Sequence, residues 1–400
     1  MKRLLFTAIG IILLLNAYPQ DWMQQQTNTN ADLSSVFFIN PDLGWAVGSE
    51  GTILKTTDGG EIWTLKSSGV TNDLNSVCFT DPLTGFAVSF RELLKTTDGG
   101  ENWVIQDTVI NAGLSSVFFI GPDTGFVAGT GRILKTTDNG KTWIKQAGFG
   151  CSGVDSFWAT DAQTLYMGGS DFLTMKSMDG GVNWDVLIPN ISYGSMESIF
   201  FTDHNTGYFA GGGWAQGFTN TYFAKTVDGG ATRTNPLGNI GKWLTSVFFA
   251  DSNHGYIAAL DGSILKTTDA GNHWINLNSG VSSALTSIYF TDTTTGYVAG
   301  RSGIILKTTN GGLNASGPDV MNKSIKIYPN PVTDFLMVEL SYLPQGKSNI
   351  QIYNISGQLI LQQDMLNRKS DFDLRKLHRG IYFLKIIQAQ GPEVVKFEKM

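Results

Sequence analysis

Lys55-Thr56-Thr57-Asp58-Gly59-Gly60-Glu61-Ile62-Trp63 decides the fold, because the chain repeats it. The core pattern is Thr/Ser-x-Asp/Asn-Gly/Asn/Ala-Gly, usually with Trp three residues beyond the second Gly. It recurs at Asp58, Asp98, Asp138, Asp179, Asp228, Asp269 and Asn310, at spacings of 40, 40, 41, 49, 41 and 41 residues. A near-constant period of this length means that one supersecondary unit is repeated along most of the 400 residues. Function must then be sought where the chain departs from the repeat.

Working outward from the first copy, Leu33 to Phe38 reads as a strand and Asn40-Pro41-Asp42 as a turn. Gly44 to Gly48 reads as a second strand, Thr52 to Thr56 as a third and Trp63 to Lys66 as a fourth. Four short strands rich in Val, Ile, Phe and Thr, separated by Gly/Asp/Asn/Pro turns, predict an antiparallel meander. About 40 residues per four-stranded unit is the size of a propeller blade. The expected fold is all-β, a seven-bladed β-propeller. In each motif turn the second glycine allows positive φ, and the Asp side chain accepts backbone amides, which is a structural role. One Asp per turn supplies too few oxygens for a calcium site. Asp58, Asp98, Asp138, Asp179, Asp228 and Asp269 are therefore read as scaffold, and no metal or other cofactor is expected.

The Trp positions predict how the ring closes. Trp63, Trp103, Trp143, Trp184 and Trp274 follow their motifs, Arg233 replaces Trp in the fifth unit, and Ala315 stands where the seventh would carry it. Trp22 precedes Leu33 by the 11 residues that separate Trp63 from Leu74 and Trp103 from Leu114. The N-terminal segment is thus expected to supply the fourth strand of the seventh blade, which removes the free sheet edges.

Lys2 and Arg3 precede an apolar run from Leu4 to Leu15, which predicts a secretory signal peptide over residues 1–17. No later stretch is apolar and long enough for a transmembrane helix. Cys78 occupies a strand position equivalent to Phe37 and Phe118, and Cys151 a distant loop, so no disulfide is expected from their placement. From Lys323 the period stops. Residues 20–320 hold 27 acidic and 15 basic side chains, whereas 321–400 hold 7 and 11. The acidic repeat region disfavours nucleic-acid binding. The tail alternates in strand fashion and predicts a small Ig-like β-sandwich.

Lys-Thr-Thr-Asp-Gly-Gly-Glu-x-Trp, with Gly-aromatic-x-x-Gly one strand earlier, resembles the Asp-box (BNR) repeat. It is most similar to the propellers of the photosystem II assembly and stability factor family. The resemblance covers residues 20–314 and implies the fold rather than a function. Tyr328-Pro329-Asn330-Pro331, Ile352 to Gly357 and Gly380-Ile381-Tyr382-Phe383 resemble the C-terminal sorting domain of the type IX secretion system, placed at 324–400 after a linker at 315–323. In that resemblance Tyr328, Pro329, Asn330, Pro331, Gly357, Gly380 and Tyr382 are the motif residues. It implies a member of the Bacteroidota, recognition by the secretion machinery, and a final location outside the cell or on its outer surface.

Strand order predicts a ligand face built from the loops between strands two and three and between strand four and the next blade, opposite the Asp-boxes. Its departures from the repeat are Arg91, Glu92, Arg132, Asp171, Asp261 and Arg301. The largest is an insertion of about seven residues at Gly211 to Thr221, read as a Gly-rich loop. Trp214, Gln216 and Phe218 on it suit stacking on a sugar or peptide. Sialidases of the Asp-box class carry an Arg triad on six blades, and xyloglucanases pair two propellers. Neither pattern is matched here. His204, His254, His273 and His378 are scattered, and no nucleophile or metal motif stands out. The expectation is a secreted or surface-attached, non-enzymatic propeller that binds an extracellular protein or glycan. The alternative is a sialidase-like or other glycoside hydrolase.

Overall fold

The structure is a computed structural model. It describes residues 21–106, 113–146, 153–188, 194–215, 218–312, 325–340, 348–355, 357–365, 367, 369–388 and 391–400. The signal segment 1–17, Cys151, the linker 315–323 and Gln216 lie outside the described residues. The chain divides into two compact units, 1–319 and 320–400.

Among its described residues the first unit contains seven antiparallel sheets, with strands in sequence order from the inside out in the first six. Sheet one is Leu33–Phe38, Gly44–Gly48, Ile53–Thr56 and Thr64–Lys66, and sheets two, three, four and six repeat it. In sheet five the strands are Gly194–Phe201, Gly207–Ala215 and Phe218–Thr226. In sheet seven, Leu285–Phe290, Gly296–Gly300 and Ile305–Thr308 are joined by Met23–Gln24, with Met23 opposite Lys307. The chain's N-terminal segment thus supplies the outer strand of its last sheet. The first strand of each sheet packs against the first strands of its two neighbours, and that of sheet seven returns to sheet one.

Apolar burial lies between sheets. Leu33, Val36, Phe38, Ala46 and Leu54 of sheet one form one cluster with Tyr297, Ala299 and Ile305 of sheet seven. Equivalent clusters fill each of the other six junctions. One steric rule recurs in six sheets. The last residue of the inner strand is Phe, and a Cβ on the facing glycine of strand two would fall 2.4–2.6 Å from that ring, as at Gly44 under Phe38 and Gly207 under Phe201. Sheet four changes both partners: Ala159 faces Leu165. A small and a large residue have exchanged places, which keeps the volume.

Each Asp-box is a tight knot of hydrogen bonds. At Asp138, Thr136 Oγ1 donates to Oδ1 at 2.8 Å and itself accepts the Gly140 amide at 2.9 Å. The same carboxylate accepts the amides of Lys141 and Thr142 at 3.0 and 2.9 Å, and Thr142 Oγ1 donates to Oδ2 at 2.6 Å. The Thr142 hydroxyl and amide, with Thr136, hold the carboxyl down to about 2. Neighbouring sheets are clamped onto these knots. The strand-two aromatic and the motif lysine reach into the next turn: Trp45 Nε1 donates to Gly99 O (3.1 Å) and Lys55 Nζ to Glu101 (2.8 Å). Sheet seven clamps sheet one in the same way, through Tyr297 Oη to Gly59 O and Lys307 Nζ to Glu61, both 2.7 Å.

The second unit has two sheets. One is Ile325–Tyr328, Phe335–Leu340 and Lys369–Asp373. The other runs Leu359–Met365, Ser348–Asn354, Gly380–Gln388 and Gly391–Lys399. Leu336, Val338 and Phe372 of the first and Ile350, Ile352, Leu384 and Phe397 of the second share one buried core. The motif residues serve this unit directly. Asn330 Oδ1 accepts the Glu398 amide at 2.9 Å, next to backbone bonds from Val332 to Glu398 and from Met400 to Val332. Tyr382 stacks on Phe397 and donates to His378 O at 3.0 Å. Gly357 takes φ +75°, which closes the turn after Asn354.

Candidate functional site

The innermost strands share the pattern Leu-Ser/Thr-Ser-Val-Phe-Phe, and together they line a central lumen of about 540 Å³. Each is an edge strand, so its inward backbone groups need partners from the neighbouring sheet. The third-position serines supply them. Val36 N donates to Ser287 Oγ (3.2 Å), Ile199 N to Ser156 Oγ (2.8 Å) and Val247 N to Ser198 Oγ (3.0 Å), with matching bonds to Ser35, Ser76 and Ser246. The second position adds a donor to the next sheet's first carbonyl. Asn75 reaches Leu114 O (2.7 Å), Thr245 reaches Leu285 O (2.7 Å), Thr286 reaches Leu33 O (2.6 Å), and Ser115 reaches Val154 O.

The fifth position forms a collar of rings that meet at tilted angles. Phe37 meets Tyr289 (5.4 Å between centroids), Tyr289 meets Phe248 (5.0 Å), and Phe248 meets Phe200 (5.2 Å). Phe200 then meets Trp158 (4.5 Å), and Trp158 meets Phe118 (4.9 Å). Cys78 takes the seventh place. It is buried with a free thiol, and burial pushes that thiol up to about 12. Such a thiol is a packing residue rather than a nucleophile.

Two adjacent sheets break the second-position rule. Asp155 and Glu197 stand where the others carry Ser, Asn or Thr. An ionised carboxylate has no proton to donate, so the bond runs the other way. Ser195 Oγ donates to Asp155 Oδ2, and Trp243 Nε1 donates to Glu197 Oε1 at 3.1 Å. Both donors immediately precede the inner run of the following sheet. Burial, then the Asp155 charge, push the Glu197 carboxyl up to about 7 against the hydrogen bonds from Trp243 and Ser195. Burial also raises Asp155. Trp243 is held in place by a bare backbone: a Cβ on Gly212 would lie 2.6 Å from its Cγ.

Gly212 belongs to the insertion in sheet five, and here the expected loop is replaced by regular structure. Strands Gly207–Ala215 and Phe218–Thr226 stay paired out to Ala215 opposite Phe218. The extra residues lengthen a hairpin, because the run Gly211–Gly213 pairs on both sides, with Gly194–Met196 and with Asn220–Tyr222. The backbones of Trp214 and Phe218 belong to this hairpin, and their side chains lie outside the described residues, as does Gln216. The hairpin's base lies beside Glu197, since Met196 pairs with Gly211.

The basic candidates sit apart from the lumen. Arg91 and Arg301 occupy the strand-two to strand-three turns of sheets two and seven, Arg132 opens strand three of sheet three opposite Gly129, and none lines the cavity. Arg301 approaches Asp32 at 3.8 Å. Glu92 accepts Asn72 Nδ2 at 2.8 Å, and Asp261 pairs with Lys242. Arg233 is a structural stand-in for Trp. It donates to Gly230 O at 2.8 Å, as Trp184 and Trp274 donate to Gly181 O and Gly271 O at 3.0 and 3.1 Å. His204, His254 and His273 pair with Asp161, Asp251 and Asp269 in the turns at the Asp-box ends. The carboxylate pair is the feature that reading the loops misses. Its signal is in the strands, in the second-position series Ser34, Asn75, Ser115, Asp155, Glu197, Thr245 and Thr286.

Comparison with known proteins fits this architecture. Residues 326–398 match the secretion system C-terminal sorting domain, which marks the chain for export to the cell surface or beyond. A YCF48 propeller bound to a D1 peptide superposes with a TM-score of 0.60 at 22% identity, over 72% of this chain and 95% of that one. An ancestral GH74 enzyme gives a TM-score of 0.58 at 14% identity. That match covers 93% of this chain but only 63% of the enzyme. At these identities the likeness establishes the propeller fold alone. β-Agarase D of Zobellia galactanivorans is 32% identical over 72 residues, which are 18% of this chain and 14% of the agarase. The family model of the photosynthesis system II assembly factor YCF48 matches residues 15–77, 67–147 and 237–324, more than half of the chain. By that match, the chain belongs to the YCF48 family.

Proposed function

We propose that the chain is an exported, non-enzymatic seven-bladed β-propeller, residues 20–314, that binds a protein on the face where the lumen opens beside the sheet-five hairpin. A signal peptide at 1–17 and an Ig-like sorting sandwich at 324–400 direct its export through the type IX machinery. The observation that carries the reading is the position of the one large departure from the repeat. The lengthened hairpin, Trp243 and both lumen carboxylates gather at sheets four to six, at one end of the channel. A peptide-bound propeller among the structural neighbours favours a protein ligand over a glycan. Trp214, Gln216 and Phe218 would extend the contact outward, and Arg91, Arg132 and Arg301 would lie around the rim of the same face. Peptide and glycan arrays probed with the full chain test this. Peptide hits weakened by Trp214→Ala are expected, and affinities unchanged for every hit would sink the assignment. For the export step, a tail-deleted chain is expected to stay inside the cell, and its appearance in the medium would refute the sorting role.

A glycoside hydrolase is the second reading. One observation favours it: a carboxyl held near 7 beside a second carboxylate is the arrangement of a general acid and its partner. Turnover of sialyl or β-glucan substrates that disappears in Glu197→Gln would establish it in place of the binding role.

A further inference from the structure

The lumen is a cavity with two chemically different ends. Toward the Asp-box side lies the aromatic collar of Phe37, Phe118, Trp158, Phe200, Phe248 and Tyr289. Nearer its opposite mouth the wall carries Asp155 and Glu197 on neighbouring strands, with the indole of Trp243 beside them. Four of the other sheets make the corresponding tie with neutral side chains, so closing the ring does not require the acids. A carboxylate set against a second carboxylate on a cavity wall is costly, and such charges are ordinarily paired. The ion pairs formed by the lysines and arginines of the first unit go to Asp32, Glu61, Glu101 and Asp261, and none reaches Asp155 or Glu197 among the described residues. The lumen thus presents two carboxyl acceptors near its mouth, with a floor of rings below them.

We propose that this lumen receives a single lysine or arginine side chain from a protein ligand, with the cation held between Asp155 and Glu197, above the aromatic collar. The inference rests on the binding role proposed above and names the chemistry of its ligand. A cation at this position satisfies both carboxylates. A neutral or acidic side chain leaves the pair uncompensated, so selectivity follows from charge rather than from area.

The test is selection of a phage-displayed random dodecapeptide library on the full chain, with counter-selection on an Asp155→Asn/Glu197→Gln double variant. The enriched peptides are expected to share one Lys or Arg. Replacing that residue with norleucine, or replacing the wild-type chain with the double variant, is expected to weaken binding by on the order of tenfold or more. The neutral variants keep shape and hydrogen-bonding capacity, and an unchanged melting temperature at pH 5 certifies their fold. Gly212→Ala, which displaces Trp243 and leaves both acids, is expected to give a smaller loss. Enriched peptides with no basic residue in common, or bound equally by the double variant, overturn this inference while leaving the binding role intact. If no clone is enriched, or if only glycans bind, the protein-binding role falls and the inference falls with it.

Discussion

The Asp-box ends of the sheets and the lumen wall of sheets four and five obey opposite rules. At the Asp-box ends, each carboxylate is held ionised by donors from its own turn, and the lysines and aromatics of one sheet are spent on clamping the next. These groups repeat with the period because the same junction recurs around the ring. In the lumen wall, the serines and collar rings repeat for the same reason, but Asp155 and Glu197 do not. There two carboxyls are pushed up instead, against the pull of neutral donors from the following sheet. Polar groups that stabilise a repeat fold follow its period, and polar groups that break the period at a cost in stability are where function is to be sought.

The largest test of this contrast breaks the ring itself. Trp22 is 1% exposed and meets Phe290 edge-on at 5.9 Å, in the cluster between sheets six and seven. Trp22→Ala removes a fully buried indole and loosens the strand that closes sheet seven, at a cost of about 3–5 kcal/mol in urea unfolding. Deleting residues 20–30 should lower stability further, and a deletion variant that melts at the wild-type temperature would show that this segment does not close the ring. Next in size is the Asp-box. Asp138→Ala strips two amides and two hydroxyls of their acceptor at a solvent-exposed turn, and should lower the melting temperature measurably. A loss below the resolution of the measurement would mean that the knot is decoration rather than scaffold.

The period and the Trp count made the sheets, their strand order and the pairing of the two chain ends legible before any coordinates. Trp22 was the decisive residue, because its distance to Leu33 places the N-terminal strand. Three things were less legible. The Gly211–Gly213 run reads locally as a loop, and it becomes strand because long-range pairing on both sides outweighs the low strand propensity of glycine. The exchange of Ala159 for Phe and Leu165 for Gly in sheet four is visible only once the register sets them face to face. The lumen carboxylates were hidden because binding residues were expected in loops, whereas Asp155 and Glu197 belong to the inner strand runs.

Smaller again is the effect of pH on the carboxylate pair. The Glu197 carboxyl sits at about 7 in the folded protein, above its ordinary value of about 4.3 in an unfolded chain. The fold therefore binds the proton more tightly than the unfolded chain does. The stabilising contribution of the protonated acid is complete below the unfolded value and is lost as pH rises through 7. Glu197→Gln fixes the neutral form. It should melt like the wild type at pH 4, and above pH 8 it should be more stable by about 1–2 kcal/mol, less than the full shift implies because the lumen admits water. A variant less stable than the wild type at pH 8 would mean that the ionised acid supports the fold, and the contrast with the Asp-boxes would fail.

The smallest effect concerns sheet five, where Arg233 stands in the Trp place that Trp22 fills for sheet seven. In sheet seven, Trp22 and Leu277 lie together against Gly312, with Phe290 edge-on to the indole. Sheet five has the corresponding glycine and leucine, with Leu187 2.9 Å from a Cβ placed on Gly230, and the corresponding ring, Phe201. Arg233 fills the remaining place, and its guanidinium donates to Gly230 O as the indoles of Trp184 and Trp274 do at theirs. What Arg233 lacks is the apolar body beneath the donor. Arg233→Trp should therefore keep the hydrogen bond, add an edge-to-face contact with Phe201 and raise stability by about 0.5–1 kcal/mol. If the melting temperature falls instead, Leu187 has already filled the space that Leu277 shares with Trp22. The departure at sheet five would then extend from the lumen to the outer edge, rather than ending at the hairpin.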